Sequence, residues 1–154
     1  MVPFYTRFPD LAWKEMRSAS VRDVPPLPAG DYGFLELYCD ERDCDCRRVI
    51  IQVVSSTTNS SIWATVNYGW EPLAYYEQWM GHPQLAQQAH GAQLDPLSPQ
   101  SRYSTVLLEL FKSVLQDTAY VERLKRHYAL FKATIPAQHK PVGMRKQRRK
   151  RKRP

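Results

Sequence analysis

Three stretches of the chain carry the aromatic and β-branched side chains that build strands: DYGFLELYC from Asp31, RRVIIQVV from Arg47 and SIWATVNYGW from Ser61. The polar cluster SSTTNSS, residues 55–61, separates the second from the third. That composition suits a turn, so an antiparallel meander is the simplest arrangement. Helical spacing takes over afterwards. In EPLAYYEQWMG, Pro72 suits a first helical position and Gly81 a carboxy-terminal cap, with Leu73, Tyr76 and Trp79 or Met80 on one face. Ser98 as cap and Pro99 as first residue open a second helix, whose apolar face is Val106, Leu107, Leu110, Val114 and Leu115. Asp117 caps a third, with Val121, Leu124, Tyr128 and Phe131 at helical spacing. Residues 9–18 read as a short helix and DVPPLPAG, residues 23–30, as an extended polyproline-like connection. HPQLAQQAHGAQLDPLSP, residues 82–99, reads as a loop with room for one helical turn.

The pattern predicts an α+β fold: a small antiparallel β-meander of three or more strands covered by α-helices. Its 154 residues are enough for one domain that buries roughly 70% of its unfolded surface without staples. Residues 1–139 form that domain, with an irregular, Pro-rich start over 1–30. No apolar run approaches the roughly 20 residues of a membrane span, and MVPFYTRFPDLAWKE lacks the form of a secretory signal. The expected compartment is the cytoplasm. Thiols stay reduced there, so closely spaced cysteines point to metal or redox chemistry before a structural disulfide.

All three cysteines, Cys39, Cys44 and Cys46, lie within eight residues, in a loop that the meander places between its first two strands. Thiolates bind zinc strongly, and a loop between strands can aim several sulfurs at one point about 2.3 Å from the ion. A three-cysteine site takes one more ligand. His82, after the helix that covers the sheet, comes first; His90 is second, His127 and His139 are weaker, and Asp40, Asp43 or Asp45 could supply a carboxylate. The spacing C-x4-C-x-C is not the paired Cys-x-x-Cys of common zinc sites, so packed strand cysteines with one loop thiol, or a redox pair, remain open alternatives. Arg42, Arg47 and Arg48 oppose the nearby carboxylates in their effect on the thiols, and no strongly activated nucleophile is expected.

The segment YCDERDCDCRRVIIQVV, followed by WATVNYGWE, resembles a family of bacterial proteins with no established activity, in which Y-C-x4-C-D-C-R-x-V precedes Y-G-W-E. Such proteins often end in a cysteine-rich zinc motif of the SEC-C type. The resemblance spans about residues 31–71 and implies that Cys39, Cys44 and Cys46 act as a set. The present chain ends without cysteine, so that motif's role does not carry over.

Charge divides the chain. Residues 123–154 hold 13 of the 22 Lys and Arg and none of the 15 Asp and Glu, which leaves the preceding residues at −6. Nine of the fifteen residues from 140 to 154 are basic, a composition predicting a disordered tail that seeks polyanions. Arg145, Lys146, Arg148, Arg149, Lys150, Arg151, Lys152 and Arg153 are the candidate contacts to nucleic acid or a ribonucleoprotein, through phosphates rather than base edges. A solubilising end, an anionic membrane surface or an acidic protein are the competing partners.

Catalytic signatures are missing: no H-E-x-x-H, G-x-S-x-G, phosphate-binding glycine loop or dinucleotide fingerprint occurs. Asp31, Glu36, Glu71 and Glu77 are scattered, and Glu71 reads as a helix cap before an acid or base. Tyr32, Tyr38, Trp63, Tyr68, Trp70, Tyr75 and Trp79 read as packing between sheet and helices before base-stacking. The leading expectation is a non-enzymatic binding protein, zinc-stabilised at its cysteine loop. A zinc- or thiol-dependent enzyme using Cys44, or an interaction domain with an incidental tail, are the alternatives.

Overall fold

A computed structural model describes residues 1–58 and 61–136. The candidate nucleic-acid contacts Arg145 to Arg153, the expected disordered tail and His139 lie outside the described residues. The strands are β1 (Val2–Pro3), β2 (Arg17–Val21), β3 (Gly30–Tyr38), β4 (Arg48–Ser55), β5 (Ile62–Gly69) and β6 (Gly91–Leu94). The helices are α1 (Pro9–Glu15), α2 (Leu73–Met80), α3 (Pro83–Ala89), α4 (Ser104–Val114) and α5 (Thr118–Ala133), with a 3-10 turn at Phe4–Thr6.

The expected α+β class is the one observed. All pairings in the six-stranded sheet are antiparallel, in the order β1-β3-β4-β5-β6, with β2 also on β3. The three strands marked by aromatic and β-branched residues are its centre. Alternation sets which side chains go inward: Tyr32, Phe34, Glu36 and Tyr38 of β3 lie on the face that carries Val49, Ile51 and Val53 of β4, all buried. Against that face α4 brings Leu107 and Phe111, and α5 brings Tyr120, Leu124 and Phe131. The ring of Phe34 meets Phe111 at 5.5 Å, and Tyr38 meets Phe131 at 5.8 Å. None of the seven aromatic residues singled out in the sequence is exposed.

The helix ends follow local chemistry. The Asp117 carboxylate accepts from the backbone N–H of Ala119 and Tyr120, which caps α5 as expected. Gly81 ends α2 at φ 65°, the left-handed conformation that a glycine adopts at little cost. Pro72 is the residue before the helix rather than its first, at ψ 153°.

Several expectations are corrected. The first helix stops at Glu15, and Arg17–Val21 forms β2, because its alternating residues can pair with the edge of β3. The 23–30 segment folds back as a turn, with the Leu27 N–H donating to Val24 O at 2.9 Å while the Leu27 side chain is buried in the core. Residues 82–99 contain a helix and an edge strand, α3 and β6. The fourth helix begins at Ser104, not at Ser98. The Gln100 side chain holds the intervening segment to the sheet, accepting from Thr65 N at 3.0 Å and donating to Thr65 O at 2.9 Å. A side-chain amide thus replaces a strand partner at the position where helical periodicity would have continued.

The helical pair α2–α3 covers one end of the sheet's other face. Its small core is Tyr76, Ala86 and Ala89, and Asn67 donates to the carbonyls of Gln88 at 3.0 Å and Ala89 at 3.1 Å. Close approach demands a glycine at position 69, where a Cβ would lie 2.1 Å from the Ala89 carbonyl oxygen and 2.5 Å from the Tyr76 hydroxyl. Gly69→Ala is therefore expected to destabilise the fold by about 3 kcal/mol, read as a lowered denaturation midpoint. A midpoint equal to that of the unaltered chain would show that α3 does not sit this close.

Candidate metal centre

Cys39 directly follows β3, and Cys46 lies two residues before β4, so both sulfurs start from the ends of paired strands. Cys44 lies between them on a turn whose N–H donates to Glu41 O at 3.4 Å. The three Sγ atoms all lie within 4.8 Å of one another. No disulfide joins them; Cys46 is 1% exposed, Cys39 8%, and Cys44 is half-buried. A set of three sulfurs at this separation can hold a metal ion.

Two helices hold the loop in place. From α2, Tyr75 donates its hydroxyl proton to Asp45 O, and Tyr76 donates to Arg47 O at 2.7 Å. From α5, Lys132 donates to Glu41 O, and Tyr128 reaches Asp45 Oδ1 at 3.5 Å. Arg47 adopts φ 42°, unusual for a side-chain-bearing residue, and its contacts account for its tolerance there. Its guanidinium grips Asp45 through Nη2 at 2.9 Å, reaches Glu71 through Nη1 at 3.3 Å, and stacks 4.7 Å over the Tyr75 ring. The cap role expected of Glu71 is thus replaced by an ion pair, and no side chain caps α2.

The electrostatics favour the protonated forms of Cys44 and Cys46 in the metal-free loop. Burial pushes Cys44 up to about 12, helped by the neighbouring charge of Cys46 and a hydrogen bond with Cys39. Burial also raises Cys46, with Cys39 adding to it, and Arg48 opposes this only in part. The Arg47 guanidinium is turned to Asp45 and Glu71, and its hydrogen bonds hold the Asp45 carboxyl below its usual range. At Cys44 and Cys46 burial, rather than cancelling charges, is the largest influence on the thiols.

His82 is the exposed residue before α3, and it is not one of the group whose donor atoms converge. His90 ends the same helix, its ring 6.3 Å from Tyr76, and is likewise outside the group. Nor do Asp40, Asp43 or Asp45 join it. Among the described residues, the donor set is three sulfurs.

His127 belongs to a separate cluster that the sequence did not reveal. It is 1% exposed, stacked 4.3 Å from the Phe4 ring, and its two nitrogens meet Glu36 Oε2 at 2.7 Å and Glu15 Oε2 at 2.9 Å. Tyr38 donates to the same Glu36 oxygen at 2.8 Å, and Arg126 pairs with Glu15 from the exposed side. The separations along the chain, 91 and 112 residues, leave no local signal from which this cluster could be found. No helix among the described residues is long and apolar enough to cross a membrane. Comparison of the chain with protein-family models, curated proteins and solved structures finds no match to any of them.

Proposed function

We propose that the chain is a non-enzymatic binding protein whose Cys39–Cys44–Cys46 loop holds one zinc ion and whose basic tail engages nucleic acid or a ribonucleoprotein. The observation that carries the metal reading is the convergence of three sulfurs within 4.8 Å on a loop that other parts of the fold already hold in place. Zinc–sulfur bonds of about 2.3 Å in a tetrahedral set put the sulfurs roughly 3.8 Å apart, so only a small contraction is needed. Tyr75, Tyr76 and Arg47 fix the backbone around the sulfurs, the role outer groups play at metal centres.

Three thiolates leave one coordination position for water or an added ligand, an arrangement that catalytic zinc sites share. Glu71, the candidate acid or base, is held by Arg47, which favours the binding reading over the enzymatic one. The tail reading rests on nine basic residues among the last fifteen, with no acidic residue from 123 onward.

Elemental analysis of untagged protein, purified under reducing conditions, tests the centre. About one zinc per chain is expected, with the thiols reactive only after chelation and the metal lost in Cys46→Ser. Three freely reactive thiols without metal would return the cysteines to ordinary packing residues.

A further inference from the structure

The outer edge of β3 has a gap. Because β4 lies along one side of that strand from Tyr32 to Leu37, β1 and β2 share the other side. The first pairs at Leu37 and Tyr38 and the second from Gly30 to Phe34, so among the described residues Leu35 and Glu36 have no strand partner there. Between the two edge strands the chain leaves the sheet as the 3-10 turn and α1. A groove of about 260 Å³ lies where it does so.

Tyr5 and Trp13 supply aromatic walls beside the buried rings of Phe4 and Phe34, Met16 adds a sulfur, and among the described residues Glu36 is the one charged residue of the lining. Trp13 is 81% exposed, a large aromatic ring that the fold itself does not bury. Of the two Glu36 oxygens, Oε2 is engaged by Tyr38 and His127, while Oε1 accepts from no described group. His127 is shared with a second carboxylate, Glu15, and among the described residues no Lys or Arg lines the groove. Aromatic faces and a carboxylate both attract positive charge. Apolar walls disfavour a strongly hydrated inorganic ion and favour a cation with its own hydrocarbon surface. The volume falls just below the roughly 300–1,000 Å³ of drug-sized ligand sites, so the ligand is small.

We propose that this groove binds a small organic ammonium ion, its cationic head held by the aromatic walls and the Glu36 carboxylate. No residue of the cysteine loop lines it. Its chemistry is that of quaternary or alkyl-substituted amines, whose charge is spread over carbon and loses little on leaving water.

The probe is choline, titrated into the full chain by calorimetry beside its neutral isostere 3,3-dimethylbutan-1-ol. Saturable choline binding is expected, with the alcohol about tenfold weaker and Trp13→Ala weakening choline by about tenfold. Trp13 is exposed, so its replacement leaves the fold intact, and Leu97→Ala, at another exposed apolar site, leaves binding unchanged. Glu36→Gln is expected to reduce choline binding without reducing that of the alcohol. Should the buried substitution prevent folding, the choline-to-alcohol ratio on the unaltered chain decides the charge question alone. Equal affinity for the two probes, no saturable binding of choline, or an unchanged Trp13→Ala would each overturn the proposal.

Discussion

Zinc affinity of the reduced protein is expected to climb by at least about a hundredfold for each pH unit through the neutral range, the part that Cys44 and Cys46 supply. Burial and mutual repulsion keep both thiols protonated well above neutral pH in the metal-free loop. A zinc ion can take them only as thiolates, so each releases a proton on binding and contributes a factor of about ten per pH unit. Competition against a chelator of known protonation behaviour, at three or four pH values between about 6.5 and 8, gives the slope. A pH-independent affinity would mean that the thiolates already exist without metal, against the burial of the loop. The sign for stability is opposite. Both thiols are raised above their unfolded-chain range, so the metal-free fold keeps their contribution below about pH 9 and loses it as the pH rises, for Cys44 progressively towards about 12 and for Cys46 in the same direction. Chelated protein should therefore denature more readily in mild alkali than zinc-loaded protein.

The second large effect belongs to the other end of the chain. If all nine basic residues of 140–154 neutralise phosphates on duplex DNA, affinity falls with salt at a logarithmic slope near −8. Raising salt from about 50 to 200 mM then weakens binding by up to about 10⁵-fold. Deleting residues 140–154 is expected to remove that slope along with most of the affinity, while zinc content stays at its original value. Fluorescence anisotropy with a labelled duplex, repeated at several salt concentrations, measures both. Binding of unchanged affinity and slope after the deletion would move the interface to the folded part, where Arg123, Lys125 and Arg126 of α5 would be the next residues to replace.

What could be read in advance was what short-range chemistry decides. The central strands announce themselves through Phe34, Val49, Ile51, Val53 and Val66, because side chains of that type in alternation have one low-energy arrangement. Asp117 and Gly81 mark helix ends by interactions within a few residues, and the three cysteines are legible as a set because one loop carries them all. The segments that escaped are those whose partners are remote. Residues 17–21 become a strand because the edge of β3 is available to them, and Gln100 holds its segment out of a helix by bonding Thr65. His82 follows the helix that covers the sheet in sequence, but position along a chain says little about where a ring nitrogen points, and it is not among the converging donors. The joining of His127 to Glu36 and Glu15 depends on α1, β3 and α5 meeting, which no local pattern encodes.

The distribution of strand lengths across the sheet bears on which backbone edges another chain could reach. Its long members, β3, β4 and β5 with nine, eight and eight residues, are flanked by neighbours, while the margins are formed by strands of two, five and four residues. Unpaired backbone on a long apolar strand is a template onto which another chain can add, the first step towards fibrils. Here β1 and β2 cover most of the outer edge of β3, and β6 covers that of β5 over Val66, Asn67, Tyr68 and Gly69. Undocking of β1, β2 or β6 would therefore expose a long β-branched and aromatic strand as such a template.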